Sequence, residues 1–333
     1  MKAFSISRYK KESPSKLTNL PEPSIKDHEV LVEIHAASVN LLDSKIKSGE
    51  FKLILPYKMP LVLGHDVAGI VVKTGAKVKN FKVGDEIYSR PADFQIGTFA
   101  EFIAIHEKDV ALKPENLTME EAASIPLVGL TGWQALVERS KVQKGQNVFI
   151  QAGSGGVGTF AIQLAKHLGA TVATTASKKS FDFLKSLGAD VLIDYKTQDF
   201  EDVLIDYDVV LNSQDNKTLE KSFHVVKPGG KIVSISGPPT PAFAEDQNLP
   251  WYVRLATGFL SRKIRRTAEK QHVSYSFLFM KANGAQLAEI TGLIEAGKIK
   301  PVIDKVFPFH QTNDAVAYVE SGRAKGKVVI KMK

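Results

Sequence analysis

The chain has 333 residues, 44% of them hydrophobic, and a formal net charge of +8, which suits two globular domains and an anionic ligand or partner. It contains no cysteine, and this excludes disulfides, cysteine nucleophiles and every zinc site that uses a cysteine ligand. No apolar stretch approaches the roughly 20 residues of a membrane-spanning helix, so we expect a cytoplasmic protein with no membrane partner.

Residues 1–125 contain short strand-like runs separated by glycine-rich turns. The runs are EVLVEIHAASV, VAGIVV, GDEIYS and FAEFIAI, and they predict an irregular, largely antiparallel barrel. Within this region LGHDVAGIV (63–71) places His65 beside Asp66 in an apolar run. Because buried polar groups need partners, the pair could serve as metal ligands, as an acid–base pair or as hydrogen-bonded support.

From about residue 126, strand-like runs alternate with helical stretches. The runs are NVFIQ, TVATT, DVLID, DVVLN and KIVSIS, and they are apolar without alternation, as strands covered on both faces should be. This α/β alternation predicts a doubly wound parallel sheet. Residues 238–280 are less regular, and the chain then returns to a helix (Ala285–Ala296), a strand-like VFPF, a second helix and a terminal strand KVVIKM.

A glycine-rich turn follows the first strand of the α/β region, in NVFIQAGSGGVGTFAIQLAKHLGA (147–170). Its glycines match G-x-G-x-x-G between a strand and a helix, the context in which this motif is specific. They permit a tight turn and let backbone N–H groups approach a pyrophosphate at the helix N-terminus. We therefore predict a dinucleotide site whose cradle comprises Gly153, Ser154, Gly155, Gly156, Val157 and Gly158.

The second strand of this region ends in TTASKKS, with no acidic residue before Asp182. A site for NAD usually has an acid here that binds the ribose 2′-OH. Ser177, Lys178 and Lys179 would instead bind a 2′-phosphate, although a solvated lysine pair at a helix start is the alternative. The sequence therefore favours NADP(H).

Segments along nearly the whole chain resemble the medium-chain dehydrogenase/reductase superfamily, in its zinc-independent, quinone-oxidoreductase-like branch. They include AASVNLLDSKIKSG (36–49), LGHDVAGIV (63–71), GTFAEFIAI (97–105), EAASIPLVGLTGWQAL (121–136), AGSGGVG (152–158), VVKPGGKIVSISG (225–237) and GRAKGKVVI (322–330). The resemblance implies a GroES-like β-barrel catalytic domain over residues 1–125 and 281–333, with a Rossmann NADP-binding domain over 126–280. It also implies a homodimer joined through Rossmann edge strands, and cofactor contacts from Thr131, Tyr195, Asn212, Ser236 and Arg323.

The zinc-dependent members of the superfamily hold their metal with two cysteines and a histidine, where this chain has Asn40, His65 and Val128. The resemblance therefore implies no zinc. Because alcohol oxidation needs a Lewis acid to generate the alkoxide, we expect hydride transfer from NADPH to a quinone or an α,β-unsaturated carbonyl (an enone or alkenal). Two alternatives stay open: a cofactor-binding redox sensor or interaction protein without turnover, and metal-dependent alcohol oxidation through His65, Asp43 and Asp66.

Asn40 is the candidate for positioning the nicotinamide or the substrate oxygen, and Asp43 is a weaker catalytic candidate. Both could instead cap the helix LLDSKIKSG. Lys45, Tyr57 and Lys58 are further hydrogen-bond donors to consider. Enoyl-thioester reductases of the superfamily use a tyrosine where this chain has Phe51, which argues against a dedicated enoyl reductase. For His65 and Asp66 the resemblance favours hydrogen-bonded support of the site.

A basic stretch, RLATGFLSRKIRRTAEK (254–270), is the part that the resemblance does not explain. Six basic residues stand here against a single acid, Glu269. The stretch could bind nucleic acid or an anionic surface, or form one side of the substrate site. No nucleic-acid motif accompanies it, so we do not expect specific nucleic-acid binding.

Overall fold

The computed structural model describes residues 1–11, 13–52 and 54–333. The strands are β1 (Lys2–Ile6), β2 (Lys16–Asn19), β3 (Glu29–Val39), β4 (Leu61–Val62), β5 (Asp66–Thr74), β6 (Glu86–Ser89), β7 (Phe102–His106), β8 (Val110–Leu112), β9 (Asn147–Ile150), β10 (Thr171–Ala176), β11 (Val191–Asp194), β12 (Tyr207–Asn212), β13 (Val226–Ser234), β14 (Ser274–Phe277), β15 (Ile303–Pro308) and β16 (Lys327–Lys331).

The α-helices are α1 (Leu41–Ser48), α2 (Met119–Ala123), α3 (Pro126–Trp133), α4 (Gly156–His167), α5 (Phe181–Ser186), α6 (Asn216–Ser222), α7 (Pro241–Asp246), α8 (Trp251–Leu260), α9 (Arg262–Lys270), α10 (Gly284–Glu295) and α11 (Thr312–Glu320). A π-helical segment, Gln134–Arg139, continues α3, and short 3-10 turns occupy Glu107–Asp109, Lys178–Ser180, Phe200–Asp202 and Phe309–Gln311. In the described part of the chain no helix is both long enough and apolar enough to cross a membrane.

The chain divides into two compact units. The first unit comprises Met1–Leu130 together with Lys281–Lys333, and the second comprises Thr131–Met280. The division falls inside α3, whereas the sequence pattern changes at about residue 126, where that helix begins.

The first unit is built around β3, which pairs antiparallel with β5, β7 and β16. Over the described residues its larger sheet has the order β15-β16-β3-β5-β6-β8, and a smaller sheet has the order β2-β1-β4. Valine and isoleucine side chains of these strands form the core of the unit: Val30, Val32, Ile34, Val67, Val71, Ile87, Ile103, Ile105 and Val110. The pairing of β16 with β3 brings the C-terminal strand against the N-terminal part of the chain.

The second unit contains a parallel sheet whose order is β11-β10-β9-β12-β13-β14 over the described residues. Every pair in it is parallel, and the order corresponds to 3-2-1-4-5-6, that of a Rossmann fold. The predicted α/β fold class, a GroES-like unit plus a doubly wound parallel sheet, is confirmed.

Residues 238–280, which the sequence left irregular, contain α7, α8, α9 and the edge strand β14. Strand β14 reads SYSF, and its residues are exposed or half-buried. Because an edge strand at a polar margin needs no continuous apolar run, its sequence lacks the pattern that identified the central strands.

Candidate active site and dinucleotide site

The glycine cradle lies where ligands bind in this class of sheet. Strand β9 pairs with β10 on one side and with β12 on the other, so the order of connections reverses at β9. In open α/β sheets the crevice at the carboxyl ends of the strands at such a point is the binding site. The cradle of residues 153–158 follows the carboxyl end of β9 and leads into α4.

The cradle packs too closely for side chains at two of its glycines. A Cβ on Gly153 would lie 2.2 Å from Oγ1 of Thr174, and one on Gly158 would lie 2.5 Å from the carbonyl oxygen of Ala152. Helix α4 has Gly155 as its N-cap, with no side-chain acceptor for its first N–H groups. An anionic group can therefore approach these donors directly, and the loop fits a dinucleotide pyrophosphate.

Ser177, Lys178 and Lys179 follow the carboxyl end of β10, the neighbour of β9. Both lysines are exposed, and neither forms an ion pair with another described residue. The Ser177 side chain makes no capping hydrogen bond to the short 3-10 turn that follows it. These polar groups are therefore free to meet a 2′-phosphate.

Asn212 and Ser236 lie at the carboxyl ends of β12 and β13, where a buried amide network joins the strands. Asn212 is fully buried, and its Nδ2 donates to Oε1 of Gln151 at 2.6 Å. Its Oδ1 accepts hydrogen bonds from Ser234 Oγ at 2.5 Å and from Ser236 Oγ at 3.4 Å. The Asn212 amide is thus used within the protein, while Ser236 is exposed. Sequence reasoning missed Gln151, the polar residue directly after the apolar strand NVFI.

The three remaining residues assigned to the cofactor are divided between the two units of the chain. Thr131 is 4% exposed in α3, and Tyr195, directly after β11, is 61% exposed. Both belong to the second unit, whereas Arg323 is an exposed residue of the first unit, between α11 and β16.

Asp66 is the centre of a buried hydrogen-bond network in the first unit. Its Oδ2 accepts from Ser38 Oγ at 2.7 Å, Asn40 Nδ2 at 2.8 Å and Lys327 Nζ at 3.1 Å. Its Oδ1 accepts from the backbone N–H of Leu127 at 2.7 Å, in the first turn of α3, where a carboxylate is favoured by the helix dipole. Lys327 Nζ also donates to Oδ1 of Asn40. The Asp66 carboxylate therefore holds β3, β16 and α3 together.

Asp43 forms a second buried network around His65. Oδ1 of Asp43 lies 2.6 Å from Nδ1 of His65 and accepts the backbone N–H of Gly64 at 3.1 Å. Its Oδ2 accepts the backbone N–H of Asn40 at 2.8 Å, so Asp43 also caps α1. Because a carboxylate only accepts, the proton between Asp43 and His65 is assigned to Nδ1. Nε2 of His65 is buried and has no hydrogen-bond partner within the described residues.

Further buried polar atoms near this network lack partners in the described parts of the chain. Thr98 Oγ1 is one of them, and a Cβ added to Gly64 would lie 2.3 Å from this oxygen. The Tyr57 hydroxyl is buried and donates to no acceptor among the described residues. Burial, with a smaller effect of Asp93, raises the pKa of Tyr57 above its ordinary value. Tyr57 therefore keeps a proton that it can donate, and unsatisfied buried groups of this kind call for a bound molecule or water.

Lys45 and Lys58, the two lysines considered as hydrogen-bond donors, lie outside the buried networks. Lys45 forms an exposed ion pair with Glu50 at 3.3 Å, and its Nζ lies 5.9 Å from the centre of the Phe51 ring. Lys58 is exposed. Neither belongs to the buried networks of Asp43 and Asp66.

The sequence alternative of a metal site made by His65, Asp43 and Asp66 does not fit the donor set. Asp66 is occupied by Lys327, Ser38 and Asn40, and Nδ1 of His65 faces Asp43. Over residues 1–11, 13–52 and 54–333, no group of three or more histidine, aspartate or glutamate side chains could hold a metal ion. A tetrahedral zinc site normally needs at least three protein ligands.

Sequence reasoning missed Lys327 and Ser38, which both donate to Asp66. Lys327 lies in GRAKGKVVI, and the available signal was a lysine that opens the strand KVVIK, directly before three apolar residues. Its partners Asp66 and Asn40 are 261 and 287 residues away along the chain, so only the pairing of β16 with β3 reveals the contact.

Comparisons with known proteins agree with this architecture. Residues 26–115 match the family model described as alcohol dehydrogenase GroES-like domain, and residues 187–330 match the one described as zinc-binding dehydrogenase. The chain is 40% identical to the 2-methylene-furan-3-one reductase of Solanum lycopersicum and 37% identical to the chloroplastic NADPH-dependent alkenal/one oxidoreductase of Arabidopsis thaliana. Each alignment covers 99% of this chain and 79% of the relative.

Among solved structures, the quinone oxidoreductase from Coxiella burnetii superposes with a TM-score of 0.87 at 30% sequence identity. That alignment covers 100% of this chain and 99% of the other. The likeness therefore extends over both units, in sequence and in fold. The chain belongs to the medium-chain dehydrogenase/reductase superfamily, in its quinone-oxidoreductase-like branch.

Proposed function

We propose that this protein is an NADPH-dependent oxidoreductase that reduces an enone, an alkenal or a quinone. The observation that carries the proposal is the glycine cradle at the carboxyl end of β9, with helix N–H donors open to an anion. The printed names of the relatives, which include an alkenal/one oxidoreductase and a quinone oxidoreductase, support the substrate class.

The residues of the second unit would bind and select the cofactor. Backbone N–H groups of residues 153–158 would hold the pyrophosphate, and Ser177, Lys178 and Lys179 would hold the 2′-phosphate. When bound, the nicotinamide supplies a hydride. We further propose that Thr131, Tyr195 and Ser236 line the cofactor. We assign Asn212 an indirect role, since its amide already bonds Gln151 and Ser234.

The residues of the first unit would provide the other half of the reaction. Reduction of these acceptors adds one hydride and one proton, and the negative charge that develops on oxygen needs hydrogen-bond donors. Tyr57 is the proposed hydrogen-bond donor because its hydroxyl is protonated and bonds no acceptor among the described residues. We propose Asn40 and Asp43 as positioning residues, since both polar ends of the Asn40 amide are bonded to Asp66 and Lys327. Arg323 is retained as a proposed contact of the adenosine phosphate.

Titration with NADPH and NADH, followed by cofactor fluorescence, tests the cofactor site. For Lys178→Ser/Lys179→Ser we expect NADPH affinity to fall roughly 10- to 100-fold, because hydrogen bonds to a charged phosphate are lost. NADH affinity should not change. The matched control, Lys82→Ser/Lys298→Ser, removes two exposed lysines of the first unit and should leave both affinities unchanged. A wild-type preference for NADH would contradict the assignment of the lysine pair.

Turnover of 1,4-benzoquinone, an alkenal and an enone with NADPH tests the reaction itself. We expect reduction of at least one acceptor. Binding of NADPH without turnover of any of them would favour the redox-sensor alternative, and failure to bind either nucleotide would refute the proposed function.

Two further expectations from the sequence stay predictions. A homodimer joined through a Rossmann edge would use β14 or β11, the strands at the two ends of the parallel sheet, and light scattering would detect it. Cytoplasmic localisation can be tested by fractionation, and it needs testing because the Arabidopsis alkenal/one oxidoreductase is named as chloroplastic.

A further inference from the structure

Helix α8 presents an apolar face that the protein does not cover. Trp251, Leu255 and Phe259 recur at every fourth position and are 74%, 65% and 78% exposed. Tyr252 extends this face and is 60% exposed, whereas Thr257 on the opposite side is buried. A helix of a globular protein normally buries its apolar stripe, and clustered exposed side chains of this size mark an interaction surface.

Helix α9 follows directly and adds a cationic face. It packs through Ile264 and Ala268, which are buried. Arg262, Arg266 and Lys270 are exposed and form no ion pair with any other described residue. These three cations are therefore available to an external anion, unlike those of the same stretch that have partners.

The paired cations of the stretch show the contrast. Arg254 bonds Glu245 at 3.1 Å, and Lys263 bonds Glu220 at 2.6 Å. Arg265 donates through Nη2 to the carbonyl oxygen of Gly258 at 3.0 Å, which places a positive charge at the C-terminus of α8. That charge opposes the negative end of the helix dipole and stabilises α8 in this position.

The apolar and cationic faces meet at a surface hollow of about 400 Å³ between α8 and α9. Its lining comprises Gly258 and Phe259 of α8 and Arg262, Arg265, Arg266 and Glu269 of α9. Three guanidinium groups beside an exposed aromatic ring match a phosphodiester attached to an acyl chain, because arginine binds phosphate oxygens and the ring contacts hydrocarbon.

We propose that α8 and α9 (residues 251–270, the docking surface) bind the surface of an anionic phospholipid bilayer. Aromatic and leucine side chains beside unpaired basic residues are the composition of helices that lie in a membrane interface. Apolar side chains enter the boundary of the acyl chains, and the arginines bind headgroup phosphates. The proposal departs from the sequence expectation of no membrane partner, which rested on the lack of a spanning segment and does not bear on a peripheral contact. It does not depend on the proposed enzymatic activity.

An anionic bilayer fits the docking surface better than the two alternative partners, a second copy of the chain and a nucleic acid. In a two-fold dimer the docking surface meets its own copy, and its single acidic residue, Glu269, cannot neutralise the unpaired cations that each copy brings. Nucleic acid would satisfy the arginines and find aromatic rings to stack on, but it would leave Leu255 and Leu260, which are 65% and 62% exposed, without an apolar partner. An anionic bilayer satisfies both the cations and the aliphatic side chains.

Vesicle co-sedimentation of the full chain tests the proposal. The probes are vesicles of phosphatidylcholine alone and of an equimolar mixture of phosphatidylcholine and phosphatidylglycerol. We expect binding only to the anionic vesicles, weakened as salt is raised, since headgroup attraction is screened. For Arg262→Ser/Arg266→Ser we expect partitioning to fall roughly 30-fold, from about 1 kcal/mol per basic residue.

Matched variants separate the docking surface from general charge and general apolarity. Phe259→Ser should weaken vesicle binding about tenfold, whereas Ile205→Ser, at a residue 76% exposed outside the docking surface, should not. Lys82→Ser/Lys298→Ser removes the same charge as the arginine pair and should cost little. Circular dichroism and NADPH turnover of each variant confirm that it is folded.

Four outcomes would overturn the proposal. These are no sedimentation with anionic vesicles, equal loss of binding in the control variants, preferential binding of single-stranded nucleic acid, and a dimer by light scattering that Phe259→Ser converts to a monomer. The last outcome would assign the face to a second copy of the chain.

Discussion

Two charged regions of the molecule differ in whether their charged side chains have partners within the protein. In the buried networks of the first unit, Asp66 accepts four hydrogen bonds, and Lys327 is bonded to both Asp66 and Asn40. On the docking surface of the second unit, Arg262 and Arg266 have no ion partner in the described chain. Water compensates an unpaired surface charge, whereas a buried one must be paired. Buried charged residues therefore indicate which elements the fold brings together, and exposed unpaired ones indicate which external ligands the protein can bind.

The largest expected effect is on the buried cation. Lys327→Met leaves the Asp66 carboxylate without its positive partner in a buried site, and we expect the free energy of unfolding to fall by about 3–5 kcal/mol. Arg266→Met, the matched change on the docking surface, should alter it by no more than about 0.5 kcal/mol. Urea unfolding of both variants measures the difference.

If both variants cost the same, the contrast between the two regions is wrong. The double variant Asp66→Asn/Lys327→Met sharpens the test. Because it removes both charges, it should be more stable than Lys327→Met alone.

A second prediction separates folding from function within the buried region. The Tyr57 hydroxyl donates to no acceptor in the described chain, so Tyr57→Phe should change stability little. If the hydroxyl stabilises charge on the substrate oxygen, kcat for an enone should fall about 100-fold with NADPH affinity retained. Steady-state kinetics and NADPH titration measure the two quantities.

Tyr252→Phe provides the control, because Tyr252 lies on the exposed face of α8 and its loss should leave kcat unchanged. An unchanged kcat in Tyr57→Phe would remove that residue from the proposed reaction.

The smallest expected effect concerns Glu107, a carboxylate that is neither fully buried nor exposed. Hydrogen bonds from the backbone N–H of Lys79 and from His28 and Asn80 lower the pKa of Glu107, against a smaller opposing effect of burial. A carboxylate whose pKa is lower in the folded state stabilises the fold above its unfolded pKa, and this contribution is lost as the pH falls through the folded value.

We therefore expect Glu107→Gln to cost about 1 kcal/mol near neutral pH and progressively less below pH of about 4.3, the ordinary glutamate value. Urea unfolding across this range measures the change. Glu289→Gln, at an exposed residue, should show no such dependence. A constant penalty at all pH values would contradict the hydrogen-bond explanation.

The sequence predicted the central strands of the parallel sheet and the glycine cradle because both are local patterns. An apolar run covered by helices needs no distant partner to be recognised, and the cradle is defined by the spacing of Gly153, Gly155 and Gly158. Strand β14 escaped prediction because an edge strand lacks a continuous apolar run, and α9 because its sequence is mostly basic. Helix α8 is largely apolar, but its apolar side chains are exposed, so its pattern does not show which face packs on the protein.

The candidate site shows the same limit at the level of single residues. The sequence left Asn40 open between capping α1 and positioning the nicotinamide or the substrate oxygen. The structure places it at the N-cap of α1, where its backbone N–H bonds Asp43 and its side chain bonds Asp66 and Lys327. The positioning role stays a prediction. His65 and Asp66 are hydrogen-bonded groups in the structure, but each belongs to a different network.

The sequence by itself determined the α/β architecture, the dinucleotide cradle and the absence of any cysteine ligand, since each depends on residue type and spacing within one segment. Only the tertiary structure decided which buried charges meet and which exposed side chains stay uncovered. The pairing of β16 with β3 joins Lys327 to Asp66 across 261 residues, and the packing of α9 through Ile264 and Ala268 turns its arginines outward. Both depend on contacts between elements distant in the chain, and local spacing carries no record of those contacts.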